Sequence, residues 1–273
     1  MPSRNTSARR LALVTGASAG IGESFAELLA EQGLDLALTA RRTDRLEALA
    51  ARLAEEHGIE AFAIAADLAD PQAPDRVVEA IAAHGRHVDV LVNNAGYGLH
   101  QRFATAPWPV QSEFLEVLVR APLHFARLVL PGMLDRGWGR IVNIASLAAF
   151  AAEPPGSTYT AAKRFLVSAS RALWLAHRGS GVHITASCPG FTYTEFHDVL
   201  GVREAMGSMP KWMWQSSRAV VEESWRAVER DQPVVVTGFV NKVIAAAMHF
   251  LPFAIAAQMT PKSLRDRETL STK

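Results

Sequence analysis

The stretch Leu11-Ala12-Leu13-Val14-Thr15-Gly16-Ala17-Ser18-Ala19-Gly20-Ile21-Gly22 decides how the rest of the chain is read. A short apolar run ends in three glycines, and from Ile21 to Gln32 apolar residues recur at helical spacing, so the order is strand, tight turn, helix. Glycines there let the chain bend sharply and bring backbone N–H groups close to a ligand. The helix start adds partial positive charge at the same point. A pyrophosphate suits such a cradle. The competing reading is a turn that only packs on its strand, and it is disfavoured because strand and helix stand on the required sides.

Outward from this point, short apolar runs alternate with helical segments as far as Thr237. Strands are expected at 11–15, 35–40, 59–65, 88–93, 140–145, 183–188 and 234–237, with helices at 21–32, 44–57, 75–84, about 110–136, 158–177 and 218–230. Parallel strands need crossover helices, and right-handed crossovers put those helices on both faces of one sheet. The expected class is therefore α/β, a doubly wound, seven-stranded parallel sheet. No linker, repeat or change of composition divides residues 1–273, so one domain is expected, with its core at 11–237. Two segments leave the alternation. One is 191–217, rich in Met and aromatic residues and read as a lid; the other is the apolar tail 239–261.

The 273 residues are 49% hydrophobic and 20% charged, with a net charge of +1, which disfavours disorder and gives no field for a nucleic-acid backbone. A single cysteine, Cys188, rules out an internal disulfide framework and a CxxC site. The histidines show no metal-ligand spacing, and no metal is expected. Arg4, Arg9 and Arg10 precede only Leu11 to Val14, too short an apolar run for a signal peptide, so a cytoplasmic location is expected.

After the second strand come Arg41, Arg42 and Arg45, where a carboxylate would hold the ribose hydroxyls of NAD. A guanidinium instead suits a 2′-phosphate, which points to NADP(H), with Arg41 the nearest to the strand end. Tyr159 and Lys163 are four residues apart in a helical segment and project from one face. Ser146 lies just past the end of a strand, the edge where open α/β sheets bind ligands. Reducing a carbonyl needs a hydride on carbon and a proton on oxygen. Tyr159 is the candidate acid, and a neighbouring Lys163 ammonium is expected to bring the phenol down from about 10. For each of Ser146 and Lys163 alone, a helix cap or a solvated helix residue is the plainer reading; together they favour a site.

The Thr-Gly-xxx-Gly-Ile-Gly loop, Asn93-Asn94-Ala95-Gly96, Ser146 with Tyr159-xxx-Lys163, and Pro189-Gly190 with Thr194 occur in an order and spacing that resembles the short-chain dehydrogenase/reductase family. The likeness covers about residues 11 to 237. It implies a single Rossmann-type domain, a nicotinamide dinucleotide cofactor and reversible hydride transfer between a carbonyl and an alcohol. It further implies that Gly16, Ser18, Gly20, Ile21 and Gly22 cradle the cofactor, with Asp67 and Leu68 at its adenine and Asn94, Ala95 and Gly96 beside it. Pro189, Gly190, Thr192 and Thr194 would meet the nicotinamide end, where Tyr159 and Lys163 also touch it. Ser146 would hydrogen-bond the substrate oxygen. Members are often dimers or tetramers, so a homo-oligomer is expected.

One departure stands out. The family usually has an Asn twenty-eight residues ahead of the Ser, holding a water that links the Lys to solvent; here that residue is Leu118. Either Arg120, His124 or a water on backbone carbonyls completes the relay, or turnover is impaired and the chain is a dinucleotide-binding regulatory or scaffold protein. The lid residues, among them Phe191, Met209, Trp212, Met213 and Trp214, favour a lipophilic carbonyl or alcohol substrate over ordinary packing against the tail. From Val243 to Pro261 no charge appears, but Pro252 and Gln258 count against a membrane span. A pocket wall or subunit interface is favoured for this tail, ahead of membrane contact.

Overall fold

The computed structural model describes residues 9–99, 103–151, 157–193 and 211–250. Its strands are β1 (Leu11–Thr15), β2 (Asp35–Ala40), β3 (Ala61–Ala65), β4 (Val90–Asn93), β5 (Gly139–Ile144), β6 (Val182–Cys188), β7 (Phe191–Tyr193), β8 (Trp214–Ser216) and β9 (Val234–Val236). Seven of them form one sheet in the order β3-β2-β1-β4-β5-β6-β9, and all its pairs are parallel. The chain winds one way from β1 to β3, then returns to the other side of β1 with β4. That reversal opens a crevice beyond the ends of β1 and β4, the place where such sheets bind ligands.

The helices are α1 (Gly20–Glu31), α2 (Thr43–His57), α3 (Ala73–Ala83), α4 (Trp108–Leu115), α5 (Ala121–Asp135), α6 (Tyr159–Ala176), α7 (Ser217–Glu229) and α8 (Phe239–Phe250). Alternation along the central strands feeds two cores, because successive side chains leave a strand on opposite faces. Leu11, Leu13, Leu91, Ile141 and Ile184 pack with Val77, Phe114, Phe125 and Met133. Ala12, Val14, Leu36, Leu38, Val90 and Val142 pack with Phe25, Leu29, Leu46, Leu53 and Val228 on the other face. Helices thus cover both faces of a Rossmann-type sheet, as the sequence pattern predicts.

Three departures from the expected elements have local causes. The β3 strand starts at Ala61 and not at residue 59, because Gly58 closes α2 in the left-handed conformation and the Glu60 N–H is held by Asp35 Oδ1 at 2.8 Å. The single helix expected over 110–136 is divided by a π turn, Glu116–Arg120, in which the Ala121 N–H reaches the Glu116 carbonyl. Pro122 accounts for it: with no N–H, and a ring that crowds the carbonyl four residues back, it prevents the α-helical bond to Leu118. The described residues at the two ends of the segment 191–217 contain a feature that the sequence pattern does not predict, the parallel pair β7–β8, with Phe191 beside Trp214. By length and composition the run Trp108–Asp135 is apolar enough to cross a membrane, yet half of its apolar 18-residue stretch is buried in this fold.

Candidate active site

At the crevice lies a cavity of about 980 Å³ that collects residues from the ends of β1, β2, β4, β5 and β6. Its first wall is the glycine loop. Gly16 and Gly20 adopt φ of +65° and +62°, a region that L side chains resist. No side chain caps the start of α1, so its first turn faces the cavity through backbone N–H groups. Gly22, the third glycine expected at the cofactor, has a packing constraint of its own. It does not line the cavity, and a Cβ there would meet the Gly16 carbonyl at 2.3 Å and Asn94 Nδ2 at 2.4 Å, so its bareness lets α1 lie against the loop.

Thr15 and Asn94 lock this loop to the end of β4. Thr15 Oγ1 accepts the N–H groups of Asn94 and Ala95, each at 3.0 Å, and Asn94 Nδ2 donates to the carbonyls of Thr15 and Gly16 at 3.0 and 3.1 Å. Asn94, Ala95 and Gly96 line the cavity, but the Asn94 amide serves to hold the loop. Beyond β2, Arg41 and Arg42 both line the cavity. Arg42 also engages the loop: its Nε and Nη2 donate to Ser18 Oγ at 3.1 and 3.0 Å. Ser18 and Ile21 line the same wall, and Asp67 and Leu68, after β3, line it as well.

Opposite stands the cluster of Ser146, Tyr159 and Lys163. Ser146 ends the link from β5, where its Oγ accepts the Ala148 N–H at 3.1 Å and so caps a short 3₁₀ turn, Leu147–Phe150. The cap is thus observed, and the same hydroxyl also hydrogen-bonds Tyr159. Tyr159 opens α6, its N–H held by Ser157 Oγ at 3.3 Å, and Lys163 follows one turn later. The Lys163 amine donates to the Ile144 carbonyl at 2.8 Å and lies 5.8 Å from the centre of the Tyr159 ring.

Their protonation runs against the simple expectation. Burial pushes the Tyr159 phenol up to about 12, with the Ser146 hydrogen bond pulling the other way. Burial likewise pushes Lys163 down to about 8, opposed by the nearby Cys188. Desolvation outweighs the Ser146 hydrogen bond, so the phenol lies above its ordinary value and not below it.

Pro189, Gly190 and Thr192 close the third side. The Leu147 N–H donates to the Pro189 carbonyl at 2.8 Å, and Thr192 Oγ1 donates to the Gly190 carbonyl at 3.1 Å. Thr194, also expected here, lies outside the described residues. The far end is apolar, with Leu99, Val117, Phe191, Met213, Ile244 and Met248. The last two come from α8, so at least the first part of the apolar tail is a pocket wall. Tyr97 and Glu113 also line the cavity, unforeseen by the motifs although Tyr97 directly follows Gly96. Leu118 is 1% exposed on the π turn. Neither alternative relay group reaches the cavity: Arg120 pairs with Glu116 at 3.1 Å and His124 with Asp75 at 3.4 Å.

The chain is 32% identical over 193 residues to a very-long-chain 3-oxoacyl-CoA reductase of Anas platyrhynchos, an alignment spanning 69% of this chain and 61% of the relative. Among solved structures it resembles a short-chain dehydrogenase from Sphingobium yanoikuyae in complex with NADPH, with 30% identity, a TM-score of 0.77 and coverage of 90% and 97% of the two chains. It also resembles a bulky-bulky ketone specific alcohol dehydrogenase from Comamonas testosteroni, with 26% identity, a TM-score of 0.73 and coverage of 92% and 99%. Residues 10–204 match the family model of the short chain dehydrogenases. With that match and a glycine loop, serine, tyrosine and lysine gathered on one cavity, the chain belongs to the short-chain dehydrogenase family.

Proposed function

We propose that this protein transfers a hydride between NADP(H) and the carbon of a lipophilic ketone or aldehyde, or of a secondary alcohol in the reverse direction. The observation that carries the reading is the single cavity that joins a glycine cradle and two arginines to Ser146, Tyr159 and Lys163, and then to an apolar end. The cradle fits a dinucleotide: positive-φ glycines and the start of α1 suit the pyrophosphate through Gly16, Ser18, Gly20 and Ile21, while Arg41 and Arg42 suit a 2′-phosphate. Asp67 and Leu68 would hold the adenine, and Pro189, Gly190 and Thr192 the nicotinamide end. The bound nicotinamide supplies the hydride.

The rest falls to side chains. Tyr159 gives its proton to the carbonyl oxygen as charge develops there, and a phenol held near 12 remains protonated at neutral pH for that task. Ser146 donates to the same oxygen and orients it. Lys163, anchored by the Ile144 carbonyl, would hold the nicotinamide ribose and favour the phenolate left after transfer. The apolar end excludes water and selects a bulky, lipophilic group, in keeping with the Comamonas testosteroni enzyme's bulky ketones. The competing scaffold reading draws no support, since the three side chains converge despite Leu118.

The test is NADPH consumption at the nicotinamide absorbance with a panel of hydrophobic ketones and aldehydes. Turnover that favours NADPH over NADH and vanishes in Tyr159→Phe supports the reading. Tight NADPH binding with no turnover on any carbonyl refutes it.

A further inference from the structure

The segment that carries Ser146 is tied on both sides of that residue to the helix that carries Tyr159. Before it, the Ile144 carbonyl accepts the Lys163 amine at 2.8 Å. After it, the carbonyls of Ala149 and Ala151 accept Nε and Nη2 of Arg164 at 2.8 and 2.6 Å. Lys163 and Arg164 are neighbours on α6, roughly 100° apart around its axis, so one reaches the end of β5 and the other the turn that follows. The Leu147 N–H, bonded to the Pro189 carbonyl at 2.8 Å, ties the start of the same turn to the end of β6. A 3₁₀ turn as short as Leu147–Phe150 has poor internal hydrogen-bond geometry, and its last carbonyls find no partner inside it. Arg164 supplies those partners from a planar fork of N–H groups, which a lysine ammonium does not present. The turn matters to the site, because its N-cap is Ser146 and because Leu147, Ala148 and Ala151 line the cavity.

We propose that Arg164 is a positioning residue: it straps the 147–151 turn to α6, and so sets where the Ser146 hydroxyl stands relative to Tyr159 and where the wall of Leu147, Ala148 and Ala151 runs along the cavity. The Ser146 hydroxyl divides itself between the Ala148 N–H, at 3.1 Å, and Tyr159, so a shift of the turn moves the first partner and with it the second. Groups fixed in this way need no reorganisation as charge develops on a substrate oxygen. The bond to Ala149 is partly buried and that to Ala151 exposed, so the first carries more of the strap. The consequence for turnover rests on the proposed reduction, in which Ser146 and Tyr159 meet one carbonyl oxygen. The strap itself does not, and it is measurable without any reaction.

The experiment pairs two measurements on the full-length protein carrying Arg164→Ala or Arg164→Lys. Amide hydrogen exchange, followed by NMR without cofactor, reads the turn through the N–H groups of Ala148, Ala149 and Ala151, which are bonded to Ser146 Oγ, the Ser146 carbonyl and the Ala148 carbonyl at 3.1, 3.0 and 3.0 Å. In Arg164→Ala these amides are expected to exchange about tenfold faster, as befits the loss of a partly exposed charge-assisted bond, while Ile141 and Val142 in β5 keep their wild-type rates. Steady-state kinetics should show kcat/KM for a hydrophobic ketone falling by about tenfold with the NADPH dissociation constant unchanged. Millimolar guanidinium chloride should restore part of both losses, and Arg164→Lys, which keeps the charge without the fork, should fall between Ala and wild type. Turn amides that exchange at the wild-type rate overturn the proposal. So does faster exchange with kcat/KM intact, or a loss of kcat/KM that NADPH binding shares and guanidinium does not reverse, since that is general destabilisation. Should Arg164→Ala fail to fold, the exchange rates and kinetics of Arg164→Lys decide in the same way. Absence of wild-type turnover on any carbonyl would remove the reductase reading and leave the exchange rates to decide the strap.

Discussion

Replacing Arg42 with alanine tests how the cavity tells one dinucleotide from another. The guanidinium stands over the glycine loop, bonded to Ser18 Oγ at 3.0 and 3.1 Å and to the Ser18 carbonyl at 3.2 Å, at the rim where a 2′-phosphate would sit. A hydrogen bond to a charged group contributes about 1.5–3 kcal/mol, and at about 1.4 kcal/mol per tenfold this is roughly ten- to a hundredfold in Kd. Because Arg42 is exposed and Arg41 remains nearby, the lower end of that range is expected. The variant also frees Ser18 from its partner and loosens the loop for either cofactor, so the discriminating quantity is the ratio of the NADPH to the NADH dissociation constant. Titration calorimetry with both dinucleotides should show that ratio rising about tenfold in Arg42→Ala and staying near the wild-type value in Ser18→Ala. The wild-type preference should also shrink as salt is raised. Equal weakening of both cofactors, or a ratio that does not move, would refute the assignment of Arg42 to the 2′-phosphate.

Other perturbations follow from the same geometry. Tyr159→Phe is expected to lower kcat by about 10²- to 10⁴-fold while NADPH binding, followed by fluorescence, is retained. Gly22→Ala forces a methyl to 2.3 Å from the Gly16 carbonyl, so thermal unfolding should show a loss of about 1–3 kcal/mol together with weaker NADPH binding. Phe25, fully buried beneath the loop-bearing face, should cost about 3–5 kcal/mol as Phe25→Ala in urea unfolding. Lys163 has a folded pKa near 8 against about 10.5 unfolded, so between those values the unfolded chain binds more protons and stability rises with pH. Unfolding of the wild type minus that of Lys163→Met should therefore become more favourable to the wild type from pH 8 to pH 10. A flat difference would show that the amine is not desolvated.

Much of this was readable from residue order, for reasons of period and packing. Leu11, Ala12, Leu13 and Val14 feed opposite cores, so an uninterrupted apolar run is what a central parallel strand requires, and the helices betray themselves by spacing. The site motifs were legible because each depends on local chemistry: a bare backbone at Gly16 and Gly20, a four-residue step from Tyr159 to Lys163. What stayed hidden depends on distant contacts. Nothing local says that Gly22 abuts the Gly16 carbonyl, that Arg42 turns to Ser18, or that Phe191 pairs with Trp214 in β8. The titration of Tyr159 and Lys163 depends on how deeply the rest of the fold buries them, which no spacing encodes. Pro122 was visible, but not that it would shift the helix into a π turn, nor that Asn93 Nδ2 would bond its carbonyl at 3.0 Å and tie the start of α5 to β4.

The match to the family model ends at residue 204, whereas Met213, Ile244 and Met248 come after it. On the proposed function, the residues that would move a hydride and a proton thus lie in one stretch of chain, and part of the wall that would meet the substrate's bulk in another. On that reading the fold is modular: exchanging the residues of 211–250 that face the cavity is expected to retune which molecules are accepted while Ser146, Tyr159 and Lys163 stay where they are.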